Sequence, residues 1–264
     1  MGHGFNGKVH YSFVKQLGQK NARLYKDWMY NKEKVKTGRQ METGYSNYVF
    51  DVNTVFQENL TLALRYLDKL KLMKYTASGK NPLLLRDKFE LMLERIEGKG
   101  VKRAVILENW LSGKISGSVG KARVLEYIKS QIQEGTKNNT SLYLMMDICH
   151  LTFTSDILCE ILQINKNVLR TIQRLVKEGK RVYIVGNVDI NTYRLLKRKH
   201  AEVFRMFSGE YVSGETGLIK PEREFYEKMI SNLGLNPFVT YIVEENMEDL
   251  EKCRQVGLSC GPSV

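Results

Sequence analysis

Residues 168–257 alternate between helical and strand periodicity, and this alternation limits the possible folds more than any other feature of the chain. Val168, Leu169, Ile172, Leu175 and Val176 recur at helical spacing, with Gly179 placed to cap the helix. Arg181-Val-Tyr-Ile-Val185 then reads as a strand buried on both faces, ending at Gly186-Asn187. Helices are expected over 191–199 and 224–233, a strand over Tyr241–Val243, and a helix over Met247–Val256. Helices and strands in strict succession predict an α/β fold with a doubly wound parallel sheet, Rossmann-type in its core.

Two positions in this region carry chemistry. Lys220 is held between a turn, Ser213-Gly-Glu-Thr-Gly217, and Pro221. The apolar run Tyr241-Ile-Val243 ends in two adjacent carboxylates, Glu244 and Glu245. Open parallel sheets keep their sites at the carboxyl ends of strands, where such a pair would stand. A fixed ammonium nearby suits anion binding or a metal–phosphate centre. Read only as local structure, the same residues are an exposed lysine and an acidic helix start.

Four segments together resemble the haloacid-dehalogenase-like (HAD) superfamily, in the branch with a helical cap inserted after the first strand. Tyr48-Val-Phe-Asp51-Val-Asn53-Thr-Val-Phe56 resembles its first motif, an apolar strand ending in a nucleophilic aspartate. Val185-Gly186-Asn187 resembles the second, with Gly186 where the family has Ser or Thr. Gly217-Leu-Ile-Lys220-Pro221 matches the third intact. Glu244-Glu245 through Gly257 matches the fourth, with Glu in place of the usual Asp. The likeness runs from Tyr48 to Cys260 and is strongest in the last 95 residues.

The resemblance implies Asp51 as nucleophile and Lys220 as the cation that offsets negative charge. It implies phosphate held by Gly186, Asn187 and Asn53, and Mg²⁺ held by Asp51, the Asn53 carbonyl and Glu244 or Glu245. A hard cation of this kind takes a few oxygen ligands and keeps several waters. The resemblance also implies an acid two residues after the nucleophile, to protonate the departing alkoxide. Asn53 stands there and cannot transfer a proton, a loss that typically costs about 10²–10⁴-fold. Asp147 closes a second apolar run, Leu142–Met146, and is the alternative nucleophile; its other reading is a helix cap or partly buried polar residue. Asp51 is preferred because it leaves about ninety residues for a cap.

The expected organisation is a basic, mostly helical extension over 1–46, a core of 47–56 (the first strand) and 161–264, and a helical cap over 57–160. The cap has breaks at 78–82, 98–100, 112–120 and 135–140. The 264 residues suffice for one such core and cap, and 42% hydrophobic with 27% charged residues is ordinary for a globular protein. No apolar run reaches the eighteen or more residues of a membrane span, and the amino terminus lacks a signal-peptide core. A cytoplasmic location, no membrane partner and reduced thiols at Cys149, Cys159, Cys253 and Cys260 are therefore expected. Nine basic against three acidic residues in 1–46 supply half of the chain's net charge of +12. Tyr11, Phe13, Tyr25, Trp28 and Tyr30 interleave with them, a pattern that suits single-stranded nucleic acid. Two functions follow. One is a Mg²⁺-dependent phosphatase of a small phosphorylated substrate, working through an aspartyl-phosphate and of low activity. The other is a catalytically inactive relative that binds protein or nucleic acid through the basic extension.

Overall fold

The computed structural model describes residues 44–81, 84–96, 105–135, 139–244 and 246–261. Most of the basic extension, and Glu245, lie outside the described residues. Five strands form the main sheet: β1 (Asn47–Asp51), β4 (Arg181–Gly186), β5 (Gly209–Val212), β6 (Thr240–Val243) and β7 (Ser259–Gly261). Their order is β5-β4-β1-β6-β7, and every neighbouring pair is parallel. The chain moves from β1 to one side through β4 and β5, then returns to the other side for β6 and β7. That reversal makes the carboxyl end of β1 a topological switch point.

The strands are apolar at nearly every position because both sheet faces are covered. Val49, Tyr183, Val185, Tyr211 and Ile242 pack on one face with Phe225, Tyr226 and Met229. Tyr48, Phe50, Val182 and Ile184 alternate with them onto the other face and are buried as well.

The expected first strand over 47–56 is shorter in the structure. It stops at Asp51, whose side chain caps a single helical turn, α1 (Val52–Val55), by accepting from Asn53 N. Phe56–Glu58 is a separate strand, β2, antiparallel to β3 (Leu162–Ile164). Between β2 and β3 the chain is helical: α2 (Leu60–Ala63), α3 (Lys69–Ala77), α4 (Leu85–Ile96), α5 (Val105–Leu111), α6 (Gly117–Gln133), α7 (Asn139–Thr152) and α8 (Ser155–Ile161). These helices enclose their own core, with Tyr75, Phe89, Leu93, Val124, Ile128 and Leu144 each under 2% exposed. Of the breaks expected here, 112–120 is shorter in the structure: the chain turns at Ser112–Gly113, and α6 begins at Gly117 with Ser116 as its cap. No single helix among the described residues is long and apolar enough to cross a membrane. One bent pair, Thr140–Thr152 with Ser155–Ile161, passes by length and composition, but its apolar side chains Leu144, Ile148, Leu151 and Ile161 are buried.

After β3 the expected helices are α9 (Lys166–Lys177), α10 (Ile190–Lys199), α13 (Arg223–Asn232) and α14 (Met247–Gln255); two single turns not expected, α11 (Ala201–Phe204) and α12 (Ser213–Thr216), stand between them. Side chains set the helix starts: Asn165 caps α9, Asp189 caps α10 and Asn246 caps α14. Ser213, at the end of β5, joins the helical region to the sheet. Its hydroxyl donates to Leu111 O at 2.8 Å and accepts from Val188 N at 2.9 Å.

Gly214, the next residue, has no room for a side chain. A Cβ there would overlap Ile190 N and lie 2.7 Å from Val188 O, both of them backbone atoms. Gly214→Ala is therefore expected to destabilise the protein by about 1–3 kcal/mol, as overpacking typically does. Urea unfolding checks this; a loss below about 0.5 kcal/mol would show that the contact yields freely.

Candidate functional site

Asp51 ends β1, and its cap geometry fixes its carboxylate: Oδ1 accepts from Asn53 N at 2.7 Å. Oδ2 faces the Lys220 ammonium at 2.6 Å and accepts no other hydrogen bond among the described residues. Lys220 follows α12 and reaches inward, only 6% exposed. Its Nζ also pairs with Glu244 Oε2 and, at 3.1 Å, with Asp249 Oδ2. Glu244 follows β6, and its Oε1 accepts from Asn246 N at 2.9 Å. Asp249 lies in the first turn of α14 and accepts from the Tyr226 hydroxyl at 3.3 Å.

Three carboxylates thus surround one ammonium, all buried. Burial works against the charge on Lys220, but Asp51, Glu244 and Asp249 outweigh it and hold its pKa above the usual lysine value. Glu244 shifts the other way from most paired carboxylates. Burial first and the Asp51 charge second push its pKa up, against the pull of Lys220. The Lys220 shift reflects the carboxylates around it, and the Glu244 shift mainly its burial.

The other sequence-predicted residues fall around this group. Gly186 ends β4 beside Asp51 with φ 146°, and a Cβ there would lie 2.5 Å from Asp51 Oδ2. Its φ is one that glycine adopts freely, and a serine or threonine at 186 would require the Asp51 side chain to move. Asn187 spends its amide on the Lys220 backbone: Nδ2 donates to Lys220 O at 2.9 Å and Oδ1 accepts from Lys220 N at 2.8 Å. It positions the lysine, and only its second amide hydrogen is left for a phosphate. Val188 N, one of the amides near Gly186, is already donated to Ser213. Asn53 is exposed and lines the cavity above Asp51. Glu245 lies outside the described residues.

Asp147 does not stand at a strand end. It lies within α7, where its Oδ2 accepts from Asp68 N at 3.0 Å, and it is not among the residues lining the cavity. The apolar run before it belongs to a buried helix. Sequence reasoning missed Asp249 and Tyr226. Asp249 has the look of an ordinary first-turn helix acid; the usable signal was Asn246 three residues earlier, whose capping turns that first turn toward the strand end.

The donor set suits a hard divalent cation in chemistry and in charge: carboxylate oxygens, and buried negative charge that one lysine does not cancel. Among the described residues no three His, Cys, Asp or Glu side chains are arranged to hold a metal ion, because Asp51, Glu244 and Asp249 each turn toward Lys220.

No protein-family model matches the chain. A sesquiterpene phosphatase of Aspergillus oryzae is 26% identical over 87 residues, which cover 33% of this chain and 44% of that protein. The match therefore spans less than half the relative's length. Among solved structures, a HAD-family enzyme of Bacteroides thetaiotaomicron in complex with magnesium and inorganic phosphate superposes with a TM-score of 0.52 at 13% identity, covering 84% of this chain and 95% of that one. The magnesium-bound HAD-hydrolase YfnB of Bacillus subtilis gives 0.52 at 15%, covering 82% and 87%. L-2-haloacid dehalogenase of Xanthobacter autotrophicus gives 0.51 at 15%, covering 83% and 77%. The chain has the HAD-like fold.

The charge imbalance makes a pair of opposite mutational effects. Lys220→Met leaves three buried carboxylates without a cation and is expected to cost about 3–5 kcal/mol at neutral pH. A carboxyl whose pKa is raised on folding stabilises the fold while protonated, and that contribution is lost as pH rises through its folded value. Wild-type stability should therefore lose the Glu244 contribution as pH climbs above the ordinary glutamate range near 4.5. Glu244→Gln, neutral throughout, should not show that fall. Denaturant unfolding of the three proteins from pH 4.5 to 8 measures it, and a Glu244→Gln curve parallel to wild type would refute the imbalance.

Proposed function

We propose that the protein is a Mg²⁺-dependent phosphohydrolase that acts on a small phosphorylated substrate through an aspartyl-phosphate at Asp51. The observation that carries this reading is the convergence of Asp51, Lys220 and Glu244 at the carboxyl ends of neighbouring parallel strands, beneath a cavity. The phosphatase relative and the neighbours solved with magnesium and phosphate support the chemistry. The same reading takes 57–160 as a cap over a core of 47–56 and 161–264.

Asp51 Oδ2 is the nucleophilic atom. It attacks phosphorus, the bond from phosphorus to the leaving-group oxygen breaks, and the carboxylate becomes an acyl phosphate. Water then attacks that phosphorus, releases inorganic phosphate and regenerates the carboxylate. Lys220 offsets negative charge on the transferring group while Asn187 holds the lysine backbone in place. Asp51, the Asn53 carbonyl and Glu244 or Glu245, with Asp249 beside them, would hold the magnesium ion, which cancels repulsion between carboxylate and phosphate. Asn53 supplies no proton, so the leaving oxygen departs as an anion or takes its proton from water. The alternative, a non-catalytic binding module, rests on residues 1–46 together with Asn53 and Gly186 at the altered motif positions.

The missing acid predicts a steep dependence on leaving-group pKa. Acetyl phosphate and 4-nitrophenyl phosphate should be hydrolysed, and simple sugar phosphates scarcely touched. Asn53→Asp should raise turnover of alkyl phosphates by about 10²-fold or more while barely changing the activated esters. Asp51→Asn should abolish both. Equal wild-type rates on alkyl and aryl esters would mean that another group donates the proton.

A second expectation concerns the ion. Magnesium at millimolar concentration should raise the melting temperature by mass action, and the shift should vanish when Asp51→Asn is combined with Glu244→Gln. A shift that survives this double change would place the ion elsewhere.

A further inference from the structure

The cavity above Asp51 and Lys220 has a volume of about 680 Å³. Pockets of roughly 300–1,000 Å³ hold whole drug-sized ligands, so a phosphoryl group fills only its floor. The floor is charged: Asp51, Lys220, Glu244 and Asp249. The wall facing it is hydrocarbon where α5 forms it, with Arg86 and Glu90 of α4 beside Phe89. Phe89 of α4 and Trp110 of α5 are buried side chains that border it, and Leu107 and Leu111 of α5 are half-buried beside them. Phe153, with its ring centroid 5.1 Å from that of Trp110, backs the indole and fixes its orientation.

The polar groups on the rim are largely satisfied. Arg86 is paired with Glu58 at 3.1 Å and with Glu90 at 3.6 Å, which leaves it poorly placed to take a second anion. Asn53 and Asn246 stand exposed at the mouth. Deeper in, Thr152 lines the cavity, is 4% exposed, and its hydroxyl has no hydrogen-bond partner among the described residues. A sugar or polyol would bring several hydroxyls against a wall that offers them few partners, and each one left unpaired costs affinity.

We propose that the substrate is a phosphate monoester with an apolar organic body, lying against Phe89, Leu107, Trp110 and Leu111, with one of its oxygens bonded to Thr152 Oγ1. The assignment rests on the phosphohydrolase reading and adds the chemical class of the group that the phosphate carries. Two sources share that chemistry, aryl and prenyl esters. They separate in binding, because a flat rigid ring and a branched flexible chain cover the wall differently.

The test uses the full chain and a homologous series, ethyl to hexyl phosphate, as competitors of 4-nitrophenyl phosphate hydrolysis. Inhibition should tighten about fourfold per methylene until the wall is covered, the factor given by about 0.8 kcal/mol per buried CH₂. Leu107→Gln, at a half-buried position where a polar side chain is tolerated, should flatten that slope. Thr152→Val should weaken every ester by about two- to tenfold and keep the slope. Inhibition independent of chain length, or glucose 6-phosphate binding more tightly than hexyl phosphate, would overturn the proposal. Tighter competition by 1-naphthyl phosphate than by geranyl phosphate points to the aryl source, and the reverse to the prenyl. If 4-nitrophenyl phosphate is not hydrolysed at all, the phosphohydrolase reading fails by itself. Calorimetric titration of ethyl and hexyl phosphate into the same protein then still decides the wall, since equal affinities would overturn it.

Discussion

The buried ammonium of Lys220 is the point around which the site is organised. It touches carboxylates from three separate segments: Asp51 after β1, Glu244 after β6 and Asp249 in α14. None of these carboxylates would be stable so deep without a cation, and the lysine would not stay charged there without them. The cluster therefore fixes the relative positions of the loops at the sheet's carboxyl edge. Asn187 extends that control to β4 by clamping the lysine backbone on both its N–H and its carbonyl. One lysine against three carboxylates is also an unbalanced arrangement. The raised pKa of Glu244 comes from its burial first and from the Asp51 charge second.

The sheet order explains why these segments meet. With β1 flanked by β4 and β6, the loops leaving all three strands open on the same edge. The helical region leaves that edge through β2 and comes back through β3, so a single antiparallel pair both exports and returns it. Its α5 is tied to the sheet by Ser213, which places Leu107 and Trp110 above Asp51 rather than away from it. Backbone and side-chain packing, not loop sequence, thereby decide what a bound molecule would touch.

Departures from the family pattern have different physical standing once the neighbours are known. Gly186 suits its surroundings, since its φ is one glycine adopts freely and a β-carbon would displace the Asp51 carboxylate. Asn53 has no such constraint; it is exposed at the cavity, and its side chain is free to differ without disturbing the fold. The first is a matter of packing, and the second is a change in chemistry.

The sequence by itself determined the α/β alternation after residue 165, because buried parallel strands and amphipathic helices leave opposite periodicities in the chain. It also determined the strand ends at Gly186 and Val243, and the motifs that put Asp51, Lys220 and Glu244 in view. It did not reveal β5 and β7. Gly209–Val212 opens with a glycine and a charged residue, and Ser259–Gly261 has only three residues at the sheet edge, so neither carries an apolar run. Nor did it end the first strand at Asp51, since Val52–Phe56 is as apolar as what precedes it and only the Asp51 cap breaks the run. Asp147 looked like a strand-end acid for the same reason, an apolar run being ambiguous between a buried helix and a buried strand. The Thr152 hydroxyl and the Phe89–Trp110 wall were decided by tertiary structure alone. Each is an ordinary residue of a helix, and only packing determines which helix face meets the carboxyl end of β1.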